Sequence, residues 1–228
     1  RGKFVADILL MHPISSAWYM HDEKQPKDVE KLFKEFLNTS HLLSELHYDY
    51  DYGDETIISK HGRIKNKEFM INKMKYKVVI VPPSVTWFSI TVNLLEKFVR
   101  NGGKCIVIRP LPYCVEGVKT SKLAKLFKHK NVTVINNNKK ELDKAVKSII
   151  GRDISIKDNK GNEIPFIYSQ HREDGKEHIY FLTNISLRES DYAKIVLSTN
   201  GRAEEWDLEN AGIREIPYPL SLRFLPGE

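Results

Sequence analysis

The first two thirds of the chain alternate between continuous apolar runs and amphipathic segments. The apolar runs are "ADILLMHP" (Ala6 to Pro13), "KVVIVPP" (Lys77 to Pro83) and "KCIVIRP" (Lys104 to Pro110). Such runs are typical of strands that are buried on both faces of a parallel sheet. The intervening segments, including Pro26 to Leu46 with Pro26 at its start, place apolar residues at helical spacing. This alternation predicts an α/β fold with an open, doubly wound sheet of flavodoxin type.

The pattern changes after Gly151. Short alternating runs such as "DISIKD", "EHIYFLTNIS" and "YAKIVLST" follow, and the turn sequences "DNKGN", "REDGKE" and "TNGR" separate them. Runs of this kind are typical of antiparallel hairpins. We therefore expect two domains: an α/β domain over residues 1–150, which the resemblance described below makes amidotransferase-like, and a small β-sandwich-like domain, complete or truncated, over residues 151–228.

The segment "HYDYDYGDE" (His47 to Glu55) is the most acidic part of the α/β domain. Alternation places His47, Asp49 and Asp51 on one face and the tyrosines on the other. A central parallel strand could not bury two aspartates, so this strand is predicted at the sheet edge. Asp54 and Glu55 then lie beyond its carboxyl end, where open α/β sheets bind ligands. An acidic rim for hydroxylated ligands and a solvated edge both remain open, and the spacing lacks the twelve-residue calcium-loop pattern.

Several hydroxyl groups raise the question of a serine hydrolase. The first apolar run is expected to be followed by a loop, "MHPISSAWYMHDE", which contains Ser15, Ser16 and Trp18, but no glycines form a nucleophile elbow. Ser84 follows the second apolar run, where an amidotransferase-like sheet would carry a nucleophilic cysteine. Prolines replace the glycines there. We therefore expect a fold of that shape without its catalytic triad.

In the β domain, the segment "YSQHREDGKEHIY" combines Gln170, His171 and Arg172 at a hairpin. Two interpretations have equal standing at this point. These side chains form a polar contact with a ligand or a neighbouring domain, or they belong to an exposed hairpin with a capping arginine.

The composition argues against nucleic acid, metal, cofactor and membrane as partners. The net charge of +6 arises from 36 basic residues that mostly alternate with acids, and the lysines of "KTSKLAKLFKHK" have helical spacing. This arrangement is typical of a solvated helix face, so no nucleic-acid partner is expected. The two cysteines, Cys105 and Cys114, support neither a disulfide framework nor a zinc site, and no metal or cofactor is predicted. No apolar run reaches the roughly 20 residues of a membrane span, so no membrane partner is expected.

The ordered segments "ADILLMHPISSAW", "LHYDYDYGDE", "YKVVIVPPS", "YSQHREDGKEHIYFLTNIS" and "GRAEEWDLENAG" resemble the region after the catalytic barrel in α-L-rhamnosidase-type glycoside hydrolases of family 106. The elements "HP-I-x-S-x-W", "D-x-D-x-G-D-E" and "Q-H-R" carry most of this resemblance, which spans nearly the whole chain. Similar amidotransferase-like sheets follow the barrel in other large glycosidases, including β-galactosidases. Since the sequence begins without Met or signal peptide, we expect a fragment of a longer protein and leave its localisation unassigned.

The resemblance implies an inverting mechanism in which two carboxylates on the barrel act as general acid and general base. It therefore implies a non-catalytic accessory region whose partners are the catalytic barrel, missing here, and carbohydrate. Trp18 and Trp87 are expected to add an apolar wall. The predicted substrate-binding residues are Trp18, Asp51, Asp54, Glu55, Ser84, His171 and Arg172.

Three alternatives to this accessory role remain. The first is an independent carbohydrate-binding module, the second is a self-sufficient serine hydrolase that uses Ser84 or Ser16, and the third is a purely structural spacer.

Overall fold

The computed structural model describes residues 1–22, 27–208 and 210–227. Pro26, predicted at the start of a helix, lies outside these residues. The chain divides into two compact units. The α/β unit comprises Ala6–Leu43 and Asp49–Gly151, and the β unit comprises Arg1–Val5, Ser44–Tyr48 and the segment that begins at Arg152. No helix in the described ranges is both long and apolar enough to cross a bilayer.

The α/β unit contains most of the helical structure. The helices are α1 (Ile14–Met20), α2 (Lys27–Glu45), α3 (Glu55–His61), α4 (Ser89–Arg100), α5 (Lys122–Leu126) and α6 (Lys139–Lys147). Its strands are β2 (Ile8–Met11), β3 (Tyr50–Gly53), β4 (Gly62–Lys65), β5 (Glu68–Ile71), β6 (Met74–Tyr76), β7 (Val78–Val81), β8 (Thr86–Trp87), β9 (Lys104–Ile108), β10 (Cys114–Val115), β11 (Val118–Lys119) and β12 (Val132–Ile135).

The main sheet of the α/β unit is parallel, with the strand order β12-β9-β7-β2-β3. Every residue of β2 and β7 is buried, which confirms the interpretation of the apolar runs as strands covered on both faces. β3 lies at the edge, as its aspartates predict. The segment after α3 forms the antiparallel meander β4-β5-β6.

The edge strand differs from the predicted alternation at its start. His47 has a φ of 59° and lies in the turn after α2, and the strand begins only at Tyr50. The prediction that His47 shares a strand face with Asp51 is therefore wrong, because a left-handed turn interrupts the extended backbone. The tyrosine face is as expected: the hydroxyls of Tyr50 and Tyr52 lie 2.6 and 2.7 Å from the Ser40 hydroxyl of α2.

The core of the α/β unit forms between the sheet and helices such as α4. Val92, Leu95, Phe98 and Val99 recur at helical spacing and are all buried in one apolar cluster with the strands. Burial of a side chain of this size contributes about 1.5–3 kcal/mol relative to an exposed one. Packing of this face, more than helix propensity, therefore fixes α4 against the sheet.

The β unit consists of antiparallel pairs. Its strands are β1 (Lys3–Phe4), β13 (Ile154–Lys157), β14 (Ile167–Asp174), β15 (Glu177–Asn184), β16 (Asp191–Leu197), β17 (Ala203–Trp206), β18 (Ile213–Ile216) and β19 (Leu220–Phe224). They pair as the sheets β1-β14-β15 and β13-β16-β19 and the ribbon β17-β18. Ile156, Ile167, Ile195 and Phe224 contribute to one buried apolar cluster. Gly175, with a φ of 67°, permits the tight turn between β14 and β15.

Candidate functional site

The strands β2, β3 and β7 run in the same direction, so their carboxyl ends lie on one side of the parallel sheet, which we call the carboxyl edge. Open α/β sheets bind ligands outside this edge. His12 and helix α1 follow β2, Asp54 and Glu55 follow β3, and Ser84 follows β7. The fold therefore brings several of the predicted residues to the carboxyl edge of the sheet. Whether they are available to a ligand depends on their contacts.

Glu55 is fully buried and acts as an acceptor at the centre of this edge. One carboxylate oxygen accepts the backbone N–H of Phe88 at 2.7 Å, and the other accepts the hydroxyl of Ser15. Burial raises the pKa of the carboxyl, and the hydrogen bonds from Ser15 and Phe88 oppose that rise. Glu55 thus joins the start of α3 to the start of α4 and has no exposed surface to offer a ligand.

The serines at this edge are also buried and bonded to the backbone. Ser16 donates to the carbonyl of Thr86 at 2.8 Å and accepts the backbone N–H groups of Val85 and Thr86 at 3.0 Å. Ser84 donates to the carbonyl of Pro82 at 2.9 Å and accepts the indole N–H of Trp87 at 3.0 Å. Neither hydroxyl has a histidine partner among the described contacts. Both serines therefore fasten the loop that follows β7.

The predicted acids Asp51 and Asp54 serve local structure as well. Asp54 is the N-cap of α3, and its carboxylate accepts the backbone N–H groups of Thr56 and Ile57 at 2.8 and 2.9 Å. Asp51 accepts the hydroxyl of Tyr76 at 2.8 Å, which links β3 to β6. The Asp54 carboxylate accepts N–H groups that have no partner inside the helix, and the Asp51 carboxylate accepts a side-chain hydroxyl from a neighbouring strand.

Two of the tryptophans named from the sequence have opposite environments. Trp18 of α1 is 61% exposed and is followed by the half-exposed Tyr19. Trp87 is 1% exposed. The expectation that Trp87 adds a wall to a pocket is wrong, because its ring fills the core and its N–H is bonded to Ser84.

A cleft of about 450 Å³ lies between α1 and the first turns of α2. Its apolar walls include Ile14, Phe33 and Phe36, and its polar groups include His12, His21 and Glu30. The ring of His12 meets Phe36 edge-on at 5.1 Å. A few polar groups in a mainly apolar concave surface are typical of a small-ligand site.

In the β unit, His171 is buried in β14 and has polar groups at both ring nitrogens. Nδ1 contacts the carboxylate of Asp153, and Nε2 lies 3.0 Å from Nδ1 of His178. The ring of Tyr180 stacks on His171 at 4.3 Å. Burial alone would raise the pKa of Asp153, but the hydrogen bonds from His171 and other neighbours outweigh it, and the pKa is lowered.

Arg172 lies on the face of β14 opposite to His171 and binds the backbone of the first residues. Its guanidinium donates to the backbone carbonyls of Arg1 and Gly2 at 2.7 and 2.6 Å. These bonds sit beside the short pairing of β1 with β14. The side chain therefore serves the sheet of the β unit, which accords with the interpretation of a capping arginine.

Sequence reasoning missed several partners of these residues. Thr86 and the N–H of Phe88 are distant along the chain from Ser16 and Glu55, and no local pattern signals their pairing. His178 is different, because a hairpin register read from the turn "EDGK" could have placed it on the same face as His171.

Several solved structures of larger glycosidases contain a region with a similar fold. They include the apo exo-carrageenase GH42 from Bacteroides ovatus (TM-score 0.65, 15% identity, 96% of this chain and 28% of that chain). The β-galactosidase from Bacillus circulans sp. alkalophilus gives a TM-score of 0.64 at 12% identity, over 97% of this chain and 41% of that chain. The α-L-fucosidase isoenzyme 2 from Paenibacillus thiaminolyticus gives a TM-score of 0.51 at 11% identity, over 97% of this chain and 48% of that chain. This chain thus spans less than half of each, and the likeness concerns the fold.

No curated protein matches this sequence. The model of glycoside hydrolase family 106, alpha-L-rhamnosidase, matches residues 1–220. This match covers both the α/β unit and most of the β unit, and it confirms the resemblance carried by the ordered segments. The chain therefore belongs to glycoside hydrolase family 106.

Proposed function

We propose that this chain is a non-catalytic accessory region of an α-L-rhamnosidase-type glycoside hydrolase. Its α/β unit has the flavodoxin-like, amidotransferase-like arrangement and supports a catalytic barrel that belongs to the whole protein. The strand order β12-β9-β7-β2-β3 supports the arrangement, because it corresponds to the doubly wound order in which the second strand lies at the edge.

The observation that carries the proposal is the burial of Glu55. A glycosidase needs two carboxyl groups that flank the scissile bond, one of which must exchange protons with a sugar oxygen or with water. Glu55 has both oxygens bonded inside the fold, and Asp54 caps a helix. The acids of "DYDYGDE" are therefore suited to hold the sheet edge together, while acid–base catalysis takes place on the barrel.

The exposed rings of Trp18 and Tyr19 favour a second candidate function, carbohydrate binding by the α/β unit. Aromatic rings offer flat apolar faces with little conformational entropy to lose on binding. In the accessory role, these rings contact the substrate or the barrel. In an independent binding module, the same rings would bind sugar without the barrel.

A hydrolysis assay separates the accessory role from catalysis. The 228-residue chain and the full-length protein are compared on a panel of aryl glycosides that includes an α-L-rhamnoside. Activity in the full-length protein alone supports the accessory role and identifies the sugar. Activity of the 228-residue chain by itself would contradict it.

Titration of oligosaccharides against Trp18→Ala tests the binding function. Trp206→Ala is the matched control, because Trp206 is 60% exposed and lies in the β unit. Loss of sugar affinity in Trp18→Ala alone supports a binding role for α1. If both variants bind the oligosaccharide as tightly as the parent does, Trp18 has no role in sugar binding.

The serine-hydrolase alternative has its own test. A fluorophosphonate probe labels serines activated by a neighbouring base. Since Ser16 and Ser84 bond to backbone or indole groups and are buried, neither is expected to react. Labelling of either serine, located by mass spectrometry, would restore the hydrolase hypothesis.

A further inference from the structure

The hairpin of β14 and β15 places three metal-ligating side chains on one face. His171 and Glu173 are two residues apart on β14, so they share a face. In the register of the hairpin, Glu173 lies opposite His178 and His171 lies opposite Tyr180. Cross-strand partners also share a face, and the ligand atoms of His171, Glu173 and His178 accordingly lie within 4.8 Å of one another.

We propose that His171, Glu173 and His178 bind one divalent transition-metal ion, with zinc as the best-suited ion. Nε2 of His171 and Nδ1 of His178 are 3.0 Å apart, and Nδ1 of His178 is 3.9 Å from the Glu173 carboxylate. Ligands bound to zinc at 2.0–2.2 Å in a tetrahedron are separated by about 3.3–3.6 Å. The two nitrogens are close to that spacing already, and Glu173, whose side chain is 51% exposed, can move the remaining distance.

The surroundings of His171 are those of a positioned ligand. Its Nδ1 contacts the Asp153 carboxylate, and the ring is buried against Tyr180. A carboxylate on the second nitrogen is the usual partner of a metal-binding histidine, because it fixes the tautomer that leaves Nε2 free to coordinate. Asp153 is itself anchored by the hydroxyls of Ser198 and Tyr180. Asp153 is therefore a positioning residue for this site.

The hydrogen positions of the two imidazoles are compatible with coordination of the ion. With the hydrogen of His171 on Nδ1, its Nε2 is an acceptor, and His178 donates through Nδ1. On binding the ion, the hydrogen of His178 moves from Nδ1 to Nε2, which leaves Nδ1 able to coordinate. The protein supplies three ligands, and the fourth tetrahedral position is left to water or to an external group.

The chemistry of the ligands favours a transition-metal ion over calcium or magnesium. Imidazole suits zinc, copper and nickel, whereas calcium and magnesium require several oxygen ligands.

The test is calorimetric titration of zinc into the untagged, metal-stripped 228-residue chain, at a pH above the ordinary histidine pKa. We expect one ion per chain and a rise in the melting temperature with zinc. His178→Ala and Glu173→Gln should each lower the affinity at least about tenfold, and Asp153→Asn should lower it about 10–100-fold. His41→Ala, which removes an exposed histidine of α2, is the matched control and should bind as the parent does.

Folding of each variant is checked by its melting temperature in chelator. Glu173→Gln changes a half-exposed side chain and should fold normally, so it keeps the test valid if a histidine variant does not fold. Absence of stoichiometric zinc binding would overturn the proposal. So would equal zinc affinity in the parent, His178→Ala and Glu173→Gln, which would leave the two histidines as a hydrogen-bonded pair.

Discussion

The carboxylate of Glu55 accepts the backbone N–H of Phe88 at 2.7 Å, so a buried acid binds the residue that precedes helix α4. The sequence separates these residues by 33 positions. Their bond ties the loop after the edge strand to the loop after β7. It explains why the acidic segment contains a carboxyl group that no solvent reaches.

Replacement of Glu55 by alanine should lower the free energy of unfolding by about 2–3 kcal/mol, because the buried N–H of Phe88 loses its acceptor. Glu55→Gln retains a carbonyl oxygen for Phe88, and its amide can donate to Ser15, which also bonds the Thr86 carbonyl. This variant should match or exceed the parent at neutral pH. Urea denaturation of both variants measures the difference, and a Gln variant as unstable as the Ala variant would contradict this account.

The raised pKa of Glu55 predicts the sign of a pH effect. A folded-state pKa above the unfolded value gives a contribution to stability that is complete below the ordinary glutamate pKa of about 4.3 and is lost as pH rises through the folded value. Relative to the non-titrating Glu55→Gln variant, the parent should therefore lose stability over that range.

Glu141 provides a control of opposite sign. Hydrogen bonds from Asn136 and Asn138 lower its pKa to about 2, so its contribution is present above the ordinary pKa and is lost as pH falls. Urea titrations of Glu55→Gln and Glu141→Gln at a series of pH values should show opposite trends against the parent. Parallel trends would refute the assignment of the Glu55 effect to burial.

The N-cap of α3 offers a test of the role of Asp54. Asp54→Ala should destabilise the chain by about 1 kcal/mol because two N–H groups lose their acceptor, whereas Asp54→Asn should be nearly neutral. In the full-length glycosidase that the proposed function requires, Asp54→Asn should leave kcat/KM for the aryl glycoside unchanged. A large loss of activity at normal stability would instead assign Asp54 to the substrate site.

Gly103 is required by the packing of α4 against the sheet. A Cβ at this position would lie 2.2 Å from the ring of Phe98, so Gly103→Ala should cost about 1–3 kcal/mol. Gly151→Ala is the matched control, because a Cβ there meets no atom of the described residues within 4 Å. Its effect should lie within about 0.5 kcal/mol. Thermal unfolding of the two variants provides the comparison, and equal melting temperatures would contradict the packing argument.

Local sequence patterns were sufficient to predict a strand where the whole apolar run, or one face of it, is buried. The continuous apolar runs determined the strands at Ile8–Met11 and Val78–Val81, and the aspartates determined that β3 lies at an edge, because two-sided burial and exposed charge are properties of the segment itself. The turn at Gly175 likewise follows from its own sequence.

Tertiary structure decided what the polar residues do. Whether Glu55 faces solvent or the N–H of Phe88, and whether Ser84 is a nucleophile or the partner of Trp87, depends on segments that approach only in the folded chain. The positions of His171, Glu173 and His178 on one face depend on the register of a single hairpin, and a slip of one residue would separate them. The sequence by itself therefore determined the buried strands and the amphipathic helices α2 and α4, since these depend on local spacing, but it did not predict α1, which forms where a loop was expected. The fold determined the environment of each carboxylate, hydroxyl and imidazole, since that depends on contacts between distant residues.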